Sequence, residues 1–187
     1  MKYRVVVGGT GTEVGKTHVA CALLGHLVSV GEGALGLKPV ESGVDGESET
    51  DASLLARRGG TPDIGACFAF HDPVSPHLAA RREGRAVELS AIRLWISEHD
   101  AGWQVVETAG GLLSPLSPKL TNLDLARALE PTALVLCAPD RLGVLHDVTV
   151  TLMALRSLGL ESRTVVALSA PAIADDSTGS NAGELNG

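Results

Sequence analysis

An α/β fold, with a doubly wound and mainly parallel sheet flanked by helices, is predicted from three observations. Short apolar runs rich in β-branched residues recur along the chain, separated by longer stretches of helical periodicity. The first run leads into a glycine-rich segment that opens the first of those helices. The 187 residues suit one domain with a substantial core, and no repeat or interdomain linker interrupts them. The expected organisation is therefore a single domain over 1–187, with a core of about 1–170 and a polar tail over 171–187.

Residues 4–8 read as a fully buried strand, because Val5, Val6 and Val7 are β-branched and lack polar alternation. The segment that follows, GGTGTEVGKT over 8–17, carries three residue types that phosphate binding needs. Gly9, Gly11 and Gly15 can adopt backbone angles closed to other residues, so successive N–H groups can turn inward around an anion. Lys16 supplies a mobile cation for the outer phosphates. Thr17 offers a hydroxyl to Mg²⁺ in the first turn of a helix whose N-terminus already favours anions. Thr10 stands where the strict pattern has its first glycine, so the loop is a variant, one residue longer when counted from Gly9. With a strand before it and a helix after it, the loop sharpens the fold class to P-loop NTPase-like, a three-layer Rossmann-like arrangement.

Residues 16–30 have helical spacing, with Val19, Leu23, Leu27 and Val30 on or near one face. Gly31 and Gly33 end that helix, and residues 34–37 form a second short strand. KPVESG, residues 38–43, then lies at the carboxyl end of the strand, the edge where open α/β sheets bind ligands. Residues 44–51 are polar and expected to be mobile. Asp51 opens a helix reaching about residue 58, where it is either a cap or a carboxylate for Mg²⁺. Residues 71–85 combine a proline-constrained loop with a basic helical turn, in which His77 reads as a cap or packing residue. Residues 87–99 form an amphipathic helix with Leu89, Ile92, Leu94, Trp95 and Ile96 as its apolar set. Residues 103–106 are a third buried strand ending at Glu107, directly before TAGG, where a carboxylate suits a nucleotide-bound Mg²⁺. A short helix over 122–129, a strand over 132–138, a helix over 145–158 and a fifth strand over 163–169 complete the alternation. The stretch 170–187 is small, polar and acidic, and reads as a loop or a frayed helix start.

A formal net charge of −7, from 15 basic and 22 acidic residues without a basic run, argues against nucleic acid as a partner. No apolar run reaches transmembrane length, and the start lacks the apolar region of a secretory signal, so no membrane partner is expected. Cys21, Cys67 and Cys137 are widely spaced among small or apolar residues, and read as reduced core thiols of a cytoplasmic protein.

Four stretches together resemble dethiobiotin synthase, an ATP-dependent family that closes the ureido ring late in biotin synthesis. They are GTGTEVGKT from Gly9, KPVESG from Lys38, PVSPH from Pro73 and ETAGGLLSPL from Glu107, with a weaker match in DRLGVLHDV from Asp140. The resemblance implies a homodimer that converts 7,8-diaminononanoate, CO₂ or bicarbonate, and MgATP into dethiobiotin, ADP and phosphate. An amine captures CO₂ as a carbamate, the carbamate takes the γ-phosphoryl group, and the second amine displaces phosphate to close the ring. Positioning and charge neutralisation would carry the catalysis. The resemblance also implies roles at matching positions. Thr12, Glu13, Val14, Gly15, Lys16, Thr17 and Glu107 would bind the nucleotide, with Ser169 where the base is read. Lys16, Lys38 and Thr12 would be catalytic. Lys38 would hold the carbamate and the γ-phosphate with Ser42 hydrogen-bonding nearby, while Leu142, Gly143 and Val144 would receive the substrate carboxylate across the subunit interface. Thr17, Asp51 and Glu107 would hold Mg²⁺.

The chain departs from the family at several positions. Gly8 replaces a frequent threonine, Thr108 a frequent glycine, His146 and Asp147 a frequent Asn-His pair, and Ser169 an asparagine that reads adenine. Asp147 is unhelpful to an anionic substrate, and Ser169 can make fewer base contacts. The chain also stops short of the family's usual length, so a further helix, an edge strand and the loop over the base are expected to be missing. Two alternatives are weighed. One is a nucleotide-driven switch of the chromosome-partitioning ATPase type, which shares this loop architecture, although Gly11 stands where its signature lysine is usual; the other is an inactive, shortened relative. A synthetase of the cobyrinic acid type would need a long glutaminase domain, and none is read here.

Overall fold

The computed structural model describes residues 2–185, so the end of the expected tail, Asn186 and Gly187, lies outside the described residues. In chain order, β1 (Tyr3–Gly9) is followed by α1 (Lys16–Ser29), β2 (Ala34–Leu37), the short β3 (Val40–Ser42) and α2 (Asp51–Gly59). Next come β4 (Phe68–Phe70), α3 (Pro76–Arg82), α4 (Leu89–Glu98) and β5 (Trp103–Glu107). Then β6 (Pro115–Ser117) and β7 (Leu120–Thr121) lead to α5 (Asn122–Ala128), β8 (Ala133–Pro139), α6 (Val144–Ser157), β9 (Thr164–Ser169) and α7 (Asn181–Leu185).

Five strands pair in parallel in the order β2-β5-β1-β8-β9. These are the five strands expected from the apolar runs, each within one residue of its expected ends. From β1 the chain goes to β2 at one edge and returns to β5 between them, then crosses to β8 and β9 on the other side. This reversal puts the topological switch point at the carboxyl end of β1, where the glycine loop begins.

The valines of β1 explain why that strand lacks polar alternation. Val5 and Val7 pack beneath α1 with Ala20 and Leu24, while Val6 faces the opposite core with Leu37, Val106 and Leu134. Helices cover both faces, so successive side chains leave water whichever way they point. Gly8 stands where the family often has threonine, and a Cβ there would come within 2.5 Å of Leu112. The absence of a side chain at Gly8 is what lets Leu112 close over β1.

Two apolar faces differ from expectation. The buried face of α1 is Lys16, Ala20, Leu24 and Leu27, and Val30 lies exposed beyond its last turn. Small Ala20 sits on the contact line and lets the helix approach the sheet, whereas the larger Val19 and Leu23 flank it half-buried. In α4 the buried pair is Ile92 and Ile96, and Leu94 faces solvent. The sequence reading also did not anticipate the parallel pair β3–β4 or the antiparallel β6–β7, both too short to show periodicity.

Cys137 is buried, and burial pushes its thiol up to about 12; Cys21 and Cys67 are half-buried, and all three are free. Among the described residues, no helix is long and apolar enough to cross a membrane. The expected frayed tail folds back instead. Asp140 accepts hydrogen bonds from Gly179 N–H at 2.8 Å and Asn181 Nδ2 at 2.7 Å, and Asp175 accepts one from Leu142 N–H at 2.8 Å.

Candidate active site

Residues leaving the carboxyl ends of β1, β2 and β5 converge beneath the glycine loop. Gly15 caps α1 with φ +86°, which aims the first N–H groups of the helix into the loop, and Glu13 also takes a left-handed conformation at φ 56°. Lys16 and Thr17 then begin the helix. Lys38 follows β2, Asp51 opens α2, and Glu107 ends β5.

These side chains form one cluster. Lys38 Nζ donates to Asp51 Oδ2 at 2.7 Å and to Glu107 Oε1 at 2.6 Å. Thr17 Oγ1 lies within hydrogen-bonding reach of both carboxylates, 3.1 Å from Asp51 Oδ1 and 2.9 Å from Glu107 Oε1. Lys16 Nζ donates instead to the Gly11 carbonyl at 2.9 Å. Both lysines are buried, Lys38 at 4% and Lys16 at 6% relative exposure, although each lies at the ligand-binding edge of the sheet. They line the floor of the loop because carboxylates and carbonyls there replace the water they lose. Burial works against the Lys38 ammonium, yet Glu107 and Asp51 outweigh it and hold its pKa above the usual lysine value. Burial, reinforced by Lys38, lowers Lys16. Burial would raise Asp51, but Lys38 prevails and holds it below the usual carboxylate range.

The donors of the expected metal set fit a hard divalent cation. Thr17, Asp51 and Glu107 offer only oxygens, and the second oxygen of Glu107 is buried with no hydrogen-bond partner. Among the described residues no three His, Cys, Asp or Glu side chains form a metal cage. A sparse oxygen set suits Mg²⁺, which keeps several waters and takes phosphate oxygens as ligands.

Three adjoining cavities share Thr12 and Glu13 as walls. The first, of about 360 Å³, is floored by Lys16, Lys38 and Glu107 and reaches Ser42 and Gly110. The second runs past Val14 and Gly15 to Arg141, Ser169, Pro171 and Ile173. The third opens between Ser42, Pro73, Ser75 and Ser114. Thr12, Glu13, Val14, Gly15, Lys16, Thr17, Lys38, Ser42, Asp51 and Glu107 are thus brought to one place. Leu142, Gly143 and Val144 are not: none lines these three cavities. The Val144 side chain is fully buried in the core, and its N–H is taken by the Arg141 carbonyl, so Val144 offers no surface to a ligand in this conformation. Ser169 lines the second cavity, but its hydroxyl donates to the Val14 carbonyl at 2.9 Å and so anchors the glycine loop.

Two residues escaped the sequence reading. Glu41 accepts the N–H of Asp51 at 2.5 Å and of Ala52 at 3.3 Å, fixing the start of α2 and therefore Asp51. Burial, its largest influence, raises the Glu41 pKa. Asn122 is buried, and its Nδ2 donates to the carbonyls of Ala109 and Gly111, holding the turn after Glu107 in place. Both act on backbone distant in sequence and carry no local signal, although Glu41 lies inside KPVESG.

An AAA domain family model matches residues 3–180. The ATP-dependent dethiobiotin synthetase BioD of Caulobacter vibrioides (strain NA1000 / CB15N) is 37% identical over 169 residues, covering 86% of this chain and 77% of that one. The protein of the same name from Anaeromyxobacter sp. (strain Fw109-5) is 39% identical over 186 residues, covering 96% and 82%. Among solved structures, the kinase domain of Escherichia coli tyrosine kinase ETK aligns with a TM-score of 0.56 at 14% identity, covering 95% of this chain and 72% of that one. That likeness concerns the fold alone. Its full core matched by the family model, and with relatives of this identity and coverage, the chain belongs to the AAA domain family and, within it, to the ATP-dependent dethiobiotin synthetases.

Proposed function

We propose that this chain is an ATP-dependent ligase that closes the ureido ring of dethiobiotin from 7,8-diaminononanoate and CO₂ in biotin biosynthesis. The observation that carries the reading is the convergence of Lys16, Thr17, Lys38, Asp51 and Glu107 beneath one glycine loop, in a member of this family. One amine of the substrate adds to CO₂ and loses a proton, giving a carbamate. A carbamate oxygen attacks the γ-phosphorus of ATP and ADP leaves. The second amine then attacks the carbonyl carbon of the mixed anhydride, phosphate departs, and the ring closes. No protein nucleophile is needed; the chain holds the partners in line and neutralises charge.

In this reading the loop N–H groups from Thr12 to Thr17 cradle the phosphates, and Lys16 lies against the transferring group. Lys38 and Ser42 hold the carbamate. Thr17, Asp51 and Glu107 hold Mg²⁺, which when bound with ATP offsets the charge of the β- and γ-phosphates. The cavity at Arg141, Ser169 and Ile173 suits the nucleoside, and the one at Pro73, Ser75 and Ser114 the aliphatic chain of the diamine. Leu142 and Gly143 serve the site of a second copy in a homodimer, whereas buried Val144 offers it no surface. Exposed Leu142, Leu145, Val150 and Met153 around the start and outer face of α6 support that pairing.

The deciding experiment is formation of dethiobiotin from diaminononanoate, bicarbonate and MgATP, read by mass spectrometry. Product that requires all three supports the ligase; ATP turnover indifferent to the diamine would favour the nucleotide switch. Lys16→Ala should lower turnover by at least about a hundredfold, since one lost charge contact at the transferring group costs that order, and Glu107→Gln should raise the Mg²⁺ concentration for half-maximal activity. An unchanged metal dependence in Glu107→Gln would leave that residue only a packing role. Light scattering on the purified chain tests the dimer, with a monomer at micromolar concentration counting against it.

A further inference from the structure

The two carboxylates of the proposed metal seat already have a cation. Lys38 Nζ bridges them at 2.7 and 2.6 Å, and the Glu107 oxygen it contacts is the one within 2.9 Å of Thr17. A divalent ion would bind those oxygens at about 2.0–2.1 Å. An ammonium and a divalent cation on the same oxygens repel each other, most strongly at Glu107, which is buried. We propose that Lys38 is the resident cation of this seat, that a divalent ion displaces it, and that the displaced ammonium turns toward the transferring phosphoryl group. The proposal rests on the reading of Thr17, Asp51 and Glu107 as the metal set.

Three features support an exchange over a fixed ion pair. The first is charge balance. Asp51 and Glu107 carry one negative charge each, and Lys38 with nearby Lys16 offsets both. When a divalent ion takes over the carboxylates, the two lysines are left to face the negative charge that the nucleotide brings. The buried floor is thereby close to neutral before and after. The second is reach. The Lys38 backbone is held between β2 and β3, while its four-carbon stem lies along the floor of the 360 Å³ cavity, so a swing of the side chain moves Nζ without moving the sheet. The third is selectivity. Lys16 belongs to the same cluster but is tied to the Gly11 carbonyl, so Lys38 alone of the two bridges the carboxylates. One oxygen of Glu107 has no partner while Lys38 is seated, a cost that a metal and its waters would remove.

The exchange predicts that a catalytic lysine opposes metal binding in the free enzyme. Mn²⁺ binding to the full chain without nucleotide, followed by electron paramagnetic resonance, should be weak in the wild type and in Lys38→Arg. In Lys38→Met it should be about tenfold tighter or more, since a full charge has left the seat. Equal, weak affinity in Lys38→Met, with Mn²⁺ binding in the presence of ATP intact, would overturn the exchange and leave the metal set standing. Failure of every form to bind Mn²⁺ even with ATP would overturn both. Because Lys38→Met leaves two carboxylates uncompensated and can fail to fold without metal, a second measurement uses the wild type alone. Ammonium protons of ¹⁵N-labelled Lys38 should exchange slowly in the free protein and faster once Mg²⁺ and a non-hydrolysable ATP analogue are added. Unchanged protection would sink the proposal.

Discussion

Lys16 and Lys38 look alike in the sequence, each a lysine in a loop at the carboxyl end of a strand, yet they carry different burdens. Lys16 makes one hydrogen bond to a carbonyl, whereas Lys38 neutralises a Glu107 carboxylate with no exposed surface. Removing one partner of a buried ion pair leaves the other charge desolvated, at a cost of about 3–5 kcal/mol. Lys38→Ala should therefore lose about that much stability in urea at pH 7, and Lys38→Ala/Glu107→Gln should regain a large part. The sign of the pH dependence follows from the shifts. Asp51 is held below its ordinary value of 3.8, so its contribution is present above that pH and is lost as pH falls through the depressed folded value. Lys38 is held above 10.5, so its contribution is present below that pH and is lost only above it. The difference between wild type and Lys38→Ala should be level from about pH 5 to 9 and shrink below about pH 4. A difference under about 1 kcal/mol, or one that ignores acid, would mean that solvent reaches these carboxylates.

At the scale of elements, the glycine loop was legible because its chemistry is local. Strand, glycines, Lys16 and Thr17 follow one another directly, and the helix begins at Lys16 as expected. What ties the loop to the rest of the sheet was not legible, since it comes from the end of β9. A Cβ on Gly15 would lie 2.9 Å from Ser169 Cβ and Oγ, and the residue already sits at φ +86°. Gly15→Ala therefore meets a collision and a backbone strain together, and should lose about 1–3 kcal/mol of stability along with ATP affinity. Ser169→Gly added to it should relieve the collision but not the strain, so calorimetry should show partial recovery. Full recovery would mean that the left-handed backbone at Gly15 is free to relax. The same contrast accounts for α1: its existence followed from periodicity, but which face is buried depended on how closely Ala20 lets it approach the strands. Glu41 and Asn122 were missed for the same reason, as each stabilises backbone in another element.

Across the whole molecule, the order of the five strands places every loop with chemistry along one edge, and the last of the described chain returns to that edge. Sequence composition marked residues 170–187 as polar, and it could not show that the polarity is directed at Asp140. Both Asp140 carboxylate oxygens are engaged, by Gly179 N–H and by Asn181, while Thr178 donates to the Asp140 carbonyl at 3.0 Å. That seating places Asp175 over the turn before α6, where Leu142 N–H and the Ser177 N–H and hydroxyl donate to its carboxylate and its own N–H donates to Thr178 Oγ1. The Ser177 hydroxyl and the backbone N–H groups of Leu142 and Ser177 pull the Asp175 carboxyl down to about 2. An exposed carboxylate keeps so low a value only while those donors stay in place, so its titration reports on the attachment of the tail as a whole. In Asp140→Ala the one donor from the sheet edge, Leu142 N–H, should be lost. The Asp175 carboxyl, followed by ¹³C NMR, should then titrate measurably above about 2, part of the way toward the ordinary value of 3.8 because the Ser177 donors are local, and the Leu142 amide should exchange faster with solvent. The core should melt as before, because the five strands and both apolar layers lie outside the altered contacts. An Asp175 titration that stays near 2 in Asp140→Ala would show that the turn at Asp175 is self-sufficient and that Asp140 does not hold the tail.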